Sequence, residues 1–201
     1  MSIQVPYEQT GRRRQKARTR AALVGAAREL LAEGRTATVE DSAARAGVSR
    51  ATAYRYFANQ RALLTAVQPR LDAETMLGES PPAGVEERLA LAIGEIISMT
   101  LDTEPALRAM LRLSLEPGPH TEEELPFRRG RRIDWVADAL EPLRARLPAA
   151  DFDRLVVAIA ASVGIDSLVW LTDVAGLSRD EAVEVMRWSA LALLRAATGA
   201  G

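Results

Sequence analysis

Apolar residues recur every three to four positions over most of this chain, and no stretch sustains the alternation of a strand. Leu23, Ala26, Ala27, Leu30 and Leu31 mark one face of a helix predicted from about Lys16 to Glu33, with Gly34 as its stop. A short helix is predicted from Val39 to Ala46, N-capped by Thr38 with Asp41 three residues later, and a second from Arg50, capped by Ser49. Asn59 caps a fourth helix that starts at Gln60 and ends near Leu77. After the break Gly78-Glu79-Ser80-Pro81-Pro82-Ala83-Gly84, helices are predicted at 85–101 and 105–115. Pro117-Gly118-Pro119 opens a loop that extends to Pro126, and a helix from Phe127 to Leu147 contains Pro142, which kinks or splits it. Long helices follow at 150–174 and 179–197. Between them Gly176 is a stop, and Ser178 with Glu181 fits a capping box. The pattern defines an all-α chain of about nine helices without an internal repeat.

Composition changes that picture in one respect. The net charge of −1 hides an asymmetry, because residues 11–70 hold 13 basic and 4 acidic side chains, while residues 71–201 hold 13 basic and 22 acidic ones. A basic head on an acidic body points one end of the molecule at a polyanion. Arg12, Arg13, Arg14, Lys16, Arg18 and Arg20 form an arm without an intervening acid. Nearly all the positive charge is arginine, with Lys16 the only lysine. The chain has no cysteine, which excludes disulfides and thiolate metal sites and fits a cytoplasmic location. No apolar run reaches the ~18 residues of a membrane span, and the polar, basic start does not read as a secretory signal.

Residues 38–64, TVEDSAARAGVSRATAYRYFANQRALL, carry the chemistry. Two short helices flank Gly47-Val48, the layout of a helix-turn-helix. Gly47 suits the turn, Val48 plugs the space between the helices, and Ser49 starts a helix crowded with Arg50, Thr52, Tyr54, Arg55 and Tyr56. In a major groove an arginine can grip guanine O6 and N7 with two hydrogen bonds, and a threonine can meet a base edge or a thymine methyl. Ala51 lets the helix sit close, and the tyrosine hydroxyls suit phosphate contacts.

The string AGVSRATAYRYF, extended by Asn59-Gln60-Arg61-Ala62-Leu63-Leu64, resembles the N-terminal domain of the TetR family of bacterial transcriptional repressors. A weaker likeness joins GIDSLVWLTDVAGLSRDEAVEVMRWSALALLRAA to the last two, dimer-forming helices of that family. The resemblance implies a disordered basic arm at 1–15, a three-helix DNA-binding domain at 16–62 with its motif at about 38–57, and a larger helical effector-binding and dimerisation domain at 63–201. It implies DNA contacts by Thr38, Ser49, Arg50, Ala51, Thr52, Tyr54, Arg55, Tyr56, Gln60 and Arg61, with Phe57 in the core. Three residues depart from the family pattern. Gln60 replaces a usual lysine, so Arg61 or the arm would supply that charge. Ser42 replaces a branched aliphatic residue and Ala53 a leucine, which shrinks the apolar seam between the two short helices. Tighter packing, or compensation by Leu23, Leu64 or Phe57, is the expected remedy, and the head is expected to be mobile without DNA.

The resemblance further implies a homodimer, since one reading head covers half of a two-fold operator. Val156, Val157, Ala160, Val163, Gly164, Leu168 and Leu171, with Val185, Trp188 and Ser189, are the expected seam. It also implies a small-molecule effector in an apolar cavity, with Ile97, Met99, Met110, Leu113, Trp135 and Trp170 as candidate lining. Arg128, Arg129, Arg131 and Arg132 form a second basic cluster that could greet an anion or simply start a helix in solvent. His120 and the Glu122-Glu123-Glu124 run read as exposed loop residues. No cofactor or metal is implied. The competing classes are a small helical enzyme and a nonspecific DNA binder. Against the enzyme stand a single histidine and the lack of any HExxH, Walker A or G-x-S-x-G string.

Overall fold

The computed structural model describes residues 7–67, 75–115 and 131–199, which form ten α-helices and no strand. In chain order they are α1 (Tyr7–Ala32), α2 (Val39–Arg45), α3 (Arg50–Tyr56), α4 (Gln60–Val67), α5 (Val85–Asp102), α6 (Glu104–Leu115), α7 (Arg131–Ala139), α8 (Ala149–Ala161), α9 (Ile165–Val169) and α10 (Arg179–Thr198). The loop expected at Pro117-Gly118-Pro119, His120, the Glu122-Glu123-Glu124 run, Arg128 and Arg129 lie outside the described residues.

Two apolar cores organise the helices. In the head, α1 turns Leu23, Val24, Ala27, Leu30 and Leu31 onto α2 and α4. Ser42 and Ala53 sit at the α2–α3 seam, both at 0% exposure, and Leu23 (1%), Leu64 (0%) and Phe57 (3%) are buried in the same head. The three large side chains thus belong to the same head core as Ala53. Ser42 Oγ nevertheless finds no hydrogen-bond partner. Ala106 and Met110 of α6 complete this core, so α6 is the base on which the head rests. Arg61 reinforces that seat by donating from Nη2 to the Leu113 carbonyl at 2.8 Å.

The body core is built on α5, whose Leu89, Ile93, Ile96 and Ile97 face α7 and α10, with α8 packed against both of those helices. Arg88 donates to the carbonyls of Ala139 and Asp138, satisfying the end of α7. Pro142 follows in a 3-10 turn (Glu141–Leu143), so the helix expected to reach Leu147 splits there.

Three boundaries differ from the sequence reading. α1 begins at Tyr7 rather than near Lys16, so residues 7–15, expected as a disordered arm, are helical; the arginines there are compatible with a helix once it is started. Residues 75–84, partly assigned to the fourth helix, are bends and irregular backbone. The long helix expected at 150–174 breaks after Ala161, with a 48° bend, and ends as a π-helical turn at Trp170–Val174. Gly164 makes that break. Its φ of 101° is open to glycine, and a Cβ there would lie 1.8 Å from Arg132 Nη1. The split raises the count from about nine helices to ten. The capping box is present as expected: Ser178 Oγ accepts from the Glu181 amide, and Glu181 accepts in return from the Ser178 amide at 2.8 Å.

Candidate nucleic-acid interface

α2 ends in a Schellman turn that fixes where α3 points. The Val48 amide donates to the Ala43 carbonyl at 2.9 Å, and the Gly47 amide to Ala44 at 3.3 Å. Gly47 takes φ 64° to close it. Ser49 then caps α3 by accepting from the Thr52 amide at 3.3 Å and donating to Thr52 Oγ1 at 2.9 Å. Thr38 caps α2 in the same way, accepting from the Asp41 amide at 3.0 Å and donating to Asp41 Oδ2 at 2.7 Å. Both hydroxyls are thus occupied by the scaffold. Of the residues expected to meet DNA, these two act here through the helices they start.

The buried side of α3 is Ala53, with Phe57 just beyond its end. Its outer side offers Arg50, Ala51, Tyr54 and Arg55 to solvent, with Thr52 and Tyr56 half-buried at the edges. Tyr56 packs partly on the head core. Two expected contacts turn elsewhere. Gln60 Nε2 is buried without a partner, and Arg61 turns Nη2 onto the Leu113 carbonyl of α6. Exposed positive charge is instead carried by α1, where Arg13, Arg14, Lys16, Arg18 and Arg20 all face solvent. Arg20 also lies 5.4 Å over the Phe57 ring, joining this basic edge to the end of α3.

One acidic residue on this surface escaped the sequence reading. Glu40 of α2 accepts a hydrogen bond from Tyr54 Oη at 2.5 Å and pairs with Arg50 Nη2 at 2.8 Å. Arg50 also lies 5.7 Å from the Tyr54 ring. The Tyr54 hydroxyl, aided by the Glu40 backbone amide and Arg50, holds the Glu40 carboxyl below its ordinary range. Glu40 in turn raises the phenol of Tyr54. A carboxylate, a guanidinium and a phenol therefore form one cluster at the start of the reading helix. No local signal shows this, because Glu40 reads as a first-turn acid on its own helix. A second acid–base pair braces the head from behind: Arg45 of α2 grips Glu33 at the end of α1 with two hydrogen bonds of 2.5 and 2.8 Å.

A capped, outward-facing α3 beside a basic α1 defines a helix-turn-helix DNA-binding domain. Residues 23–67 match the family model of the bacterial regulatory proteins, tetR family. These residues therefore form a DNA-binding domain of the tetR type, that of a transcriptional regulator. Searches of curated proteins and of solved structures found no match.

The body distributes the remaining candidates differently from the sequence reading. Of the expected seam residues, Val156, Ala160, Val163, Leu168 and Leu171 are buried in the subunit's own core. Gly164 is buried under Arg132. Those six turn toward the subunit's own core. Val157 and Trp188 remain, at 56% and 71% exposure, with Val185 and Ser189 half-buried beside them. The six candidate effector residues do not meet around one cavity. Ile97 and Trp135 are buried in the body core with Met99 against it, whereas Met110 and Leu113 belong to the head core and Trp170 is 59% exposed. Arg132 is not a waiting anion receptor either: it donates to the Val163 carbonyl and to Asp166 Oδ1, holding the α8–α9 corner. Among the described residues no group of three or more His, Asp or Glu could hold a metal ion, and no single helix is long and apolar enough to cross a membrane.

Proposed function

We propose that the chain is a cytoplasmic repressor that binds a palindromic operator as a homodimer and is released by a small-molecule effector. The observation that carries the reading is the outer face of α3, where Arg50 and Tyr54 are exposed on a helix anchored by Ala53 and Phe57. Arg50 and Thr52 would meet base edges, while Tyr54, Tyr56 and the basic residues of α1 would hold phosphates. The dimer is supported by Trp188 and Val157, large apolar side chains left in solvent on helices that pack side by side. Effector release would follow if a ligand prefers a head spacing that does not fit the operator.

Replacing Arg50, Thr52 and Tyr54 together by alanine tests this reading. The folded variant is expected to lose preference for the operator over unrelated duplex, a preference of ~10³-fold or more for a specific regulator. Undiminished operator binding by that variant refutes the assignment of α3. A nonspecific DNA binder would show equal affinity for all duplexes at fixed salt.

A further inference from the structure

A cleft of about 760 Å³ opens between head and body. Its head side is Leu31 and Arg35, at the end of α1 and just beyond it, and its body side includes Leu101 of α5 and Arg179 of α10. Glu104, Arg108 and Arg112 line it from one face of α6, while Ala106 and Met110 reach the head core from another. Four guanidiniums thus border the cleft against one carboxylate.

That imbalance is not neutralised internally. Glu104, only 7% exposed, accepts from Arg108 Nε at 2.7 Å and from Arg179 Nε at 3.0 Å. Arg108 is fixed further by Asp173, at 2.5 and 2.9 Å. The two remaining arginines are left over. Arg35 stands 3.7 Å from Glu33, a carboxylate already gripped by Arg45, and Arg112 has no acidic partner among the described residues. Two available cations beside the apolar Leu31 and Leu101 make a receptor for a molecule that is negative at one end and apolar at the other.

We propose that this cleft binds a small organic anion with an apolar body, its carboxylate held by Arg35 and Arg112 and its apolar part laid on Leu31 and Leu101. Such a ligand touches the head and the base on which the head rests. It would therefore bias where the head sits, and by linkage DNA would alter the affinity for the anion by the same factor. The effect on DNA rests on the reading of the chain as a regulator, whereas the binding of the anion does not.

Isothermal titration of the full chain with octanoate, octanol and inorganic phosphate separates the parts of this claim. Octanoate is expected to bind at least ~10-fold more tightly than either octanol or phosphate, because only it satisfies both cations and lining. Arg35→Ala/Arg112→Ala, which removes two exposed side chains, is expected to weaken octanoate by ~10-fold or more with an unchanged melting curve, and the double lysine variant to recover part of the loss. Octanoate binding that survives the double alanine variant overturns the site, and so does phosphate or octanol binding as tight as octanoate. Octanoate that binds without changing operator affinity overturns the coupling. Failure of the unliganded protein to prefer any operator would instead sink the regulator reading and leave the anion site standing.

Discussion

Ser42 is the most instructive residue to change. It occupies the α2–α3 seam at 0% exposure, and its hydroxyl has no partner. Burying a hydroxyl without a hydrogen bond costs about 1–3 kcal/mol, and the methyl of alanine occupies almost the same volume. Ser42→Ala should therefore stabilise the head by about 1 kcal/mol after the small loss of packing around the missing oxygen. In a chain of this size that corresponds to a rise of about 2–4 °C in the melting midpoint. It also corresponds to a ~5-fold gain in the protection of α2 and α3 amides, provided the head opens as a unit. Hydrogen exchange read helix by helix is the decisive assay, because it separates the head from the body core. Operator affinity should stay unchanged, since Ser42 faces inward. A loss of protection in α2 and α3 on Ser42→Ala would refute the reasoning, because it would mean that the hydroxyl has a partner worth more than its desolvation.

Three further outcomes follow from the geometry. Glu40→Gln removes the carboxylate that competes with phosphate for Arg50; it should tighten binding to unrelated duplex and steepen the salt dependence by about one released counterion, and an unchanged salt slope would contradict the competition. Asp173 is depressed to about 2, chiefly by hydrogen bonds from Arg108 and then Thr172, and Glu104 is lowered because Arg179 and Arg108 overcome the burial that alone would raise it. A depressed carboxyl contributes stability that is complete above its unfolded value near ~4 and is lost as pH falls through its folded value. Thermal melts of the wild type should therefore drop between about pH 4 and about pH 2, and Asp173→Asn should flatten that drop; identical profiles would count against the Arg108–Asp173 contact. Trp188→Glu should leave a folded monomer at micromolar concentration in sedimentation, and a persistent dimer would move the interface away from α10.

Much of the fold was legible because its signals are local. Thr38, Ser49 and Ser178 announce helix starts through hydrogen bonds that reach only three residues ahead, and Gly47 marks a turn that needs positive φ. Pro142 split its helix as a missing amide requires. Gly164 was overlooked because a lone glycine in an apolar run carries no turn signal, and its requirement comes from Arg132, 32 positions away. Six of the expected seam residues turn inward for a related reason. α8 is apolar over most of its circumference, and periodicity does not say which flank meets the subunit's own core and which a partner. Only burial resolves it: Val156 and Ala160 go inward, and Val157 stays out. The candidate DNA surface was readable in its helix but not in its electrostatics. The Glu40–Arg50–Tyr54 cluster joins two helices, and the turning of Arg61 toward Leu113 depends on α6, far along the chain. Met110 illustrates the same limit, because an apolar position on an amphipathic helix does not reveal which of two cores it will join.

The most direct test is to select duplexes from a random pool with the full chain and to map the winners by hydroxyl-radical footprinting. The expected result is a two-fold symmetric consensus with protected patches centred about 10 base pairs, or a multiple, apart, and loss of that consensus when Arg50, Thr52 and Tyr54 are alanine. Enrichment of no common sequence, or the same consensus recovered by that variant, would contradict it.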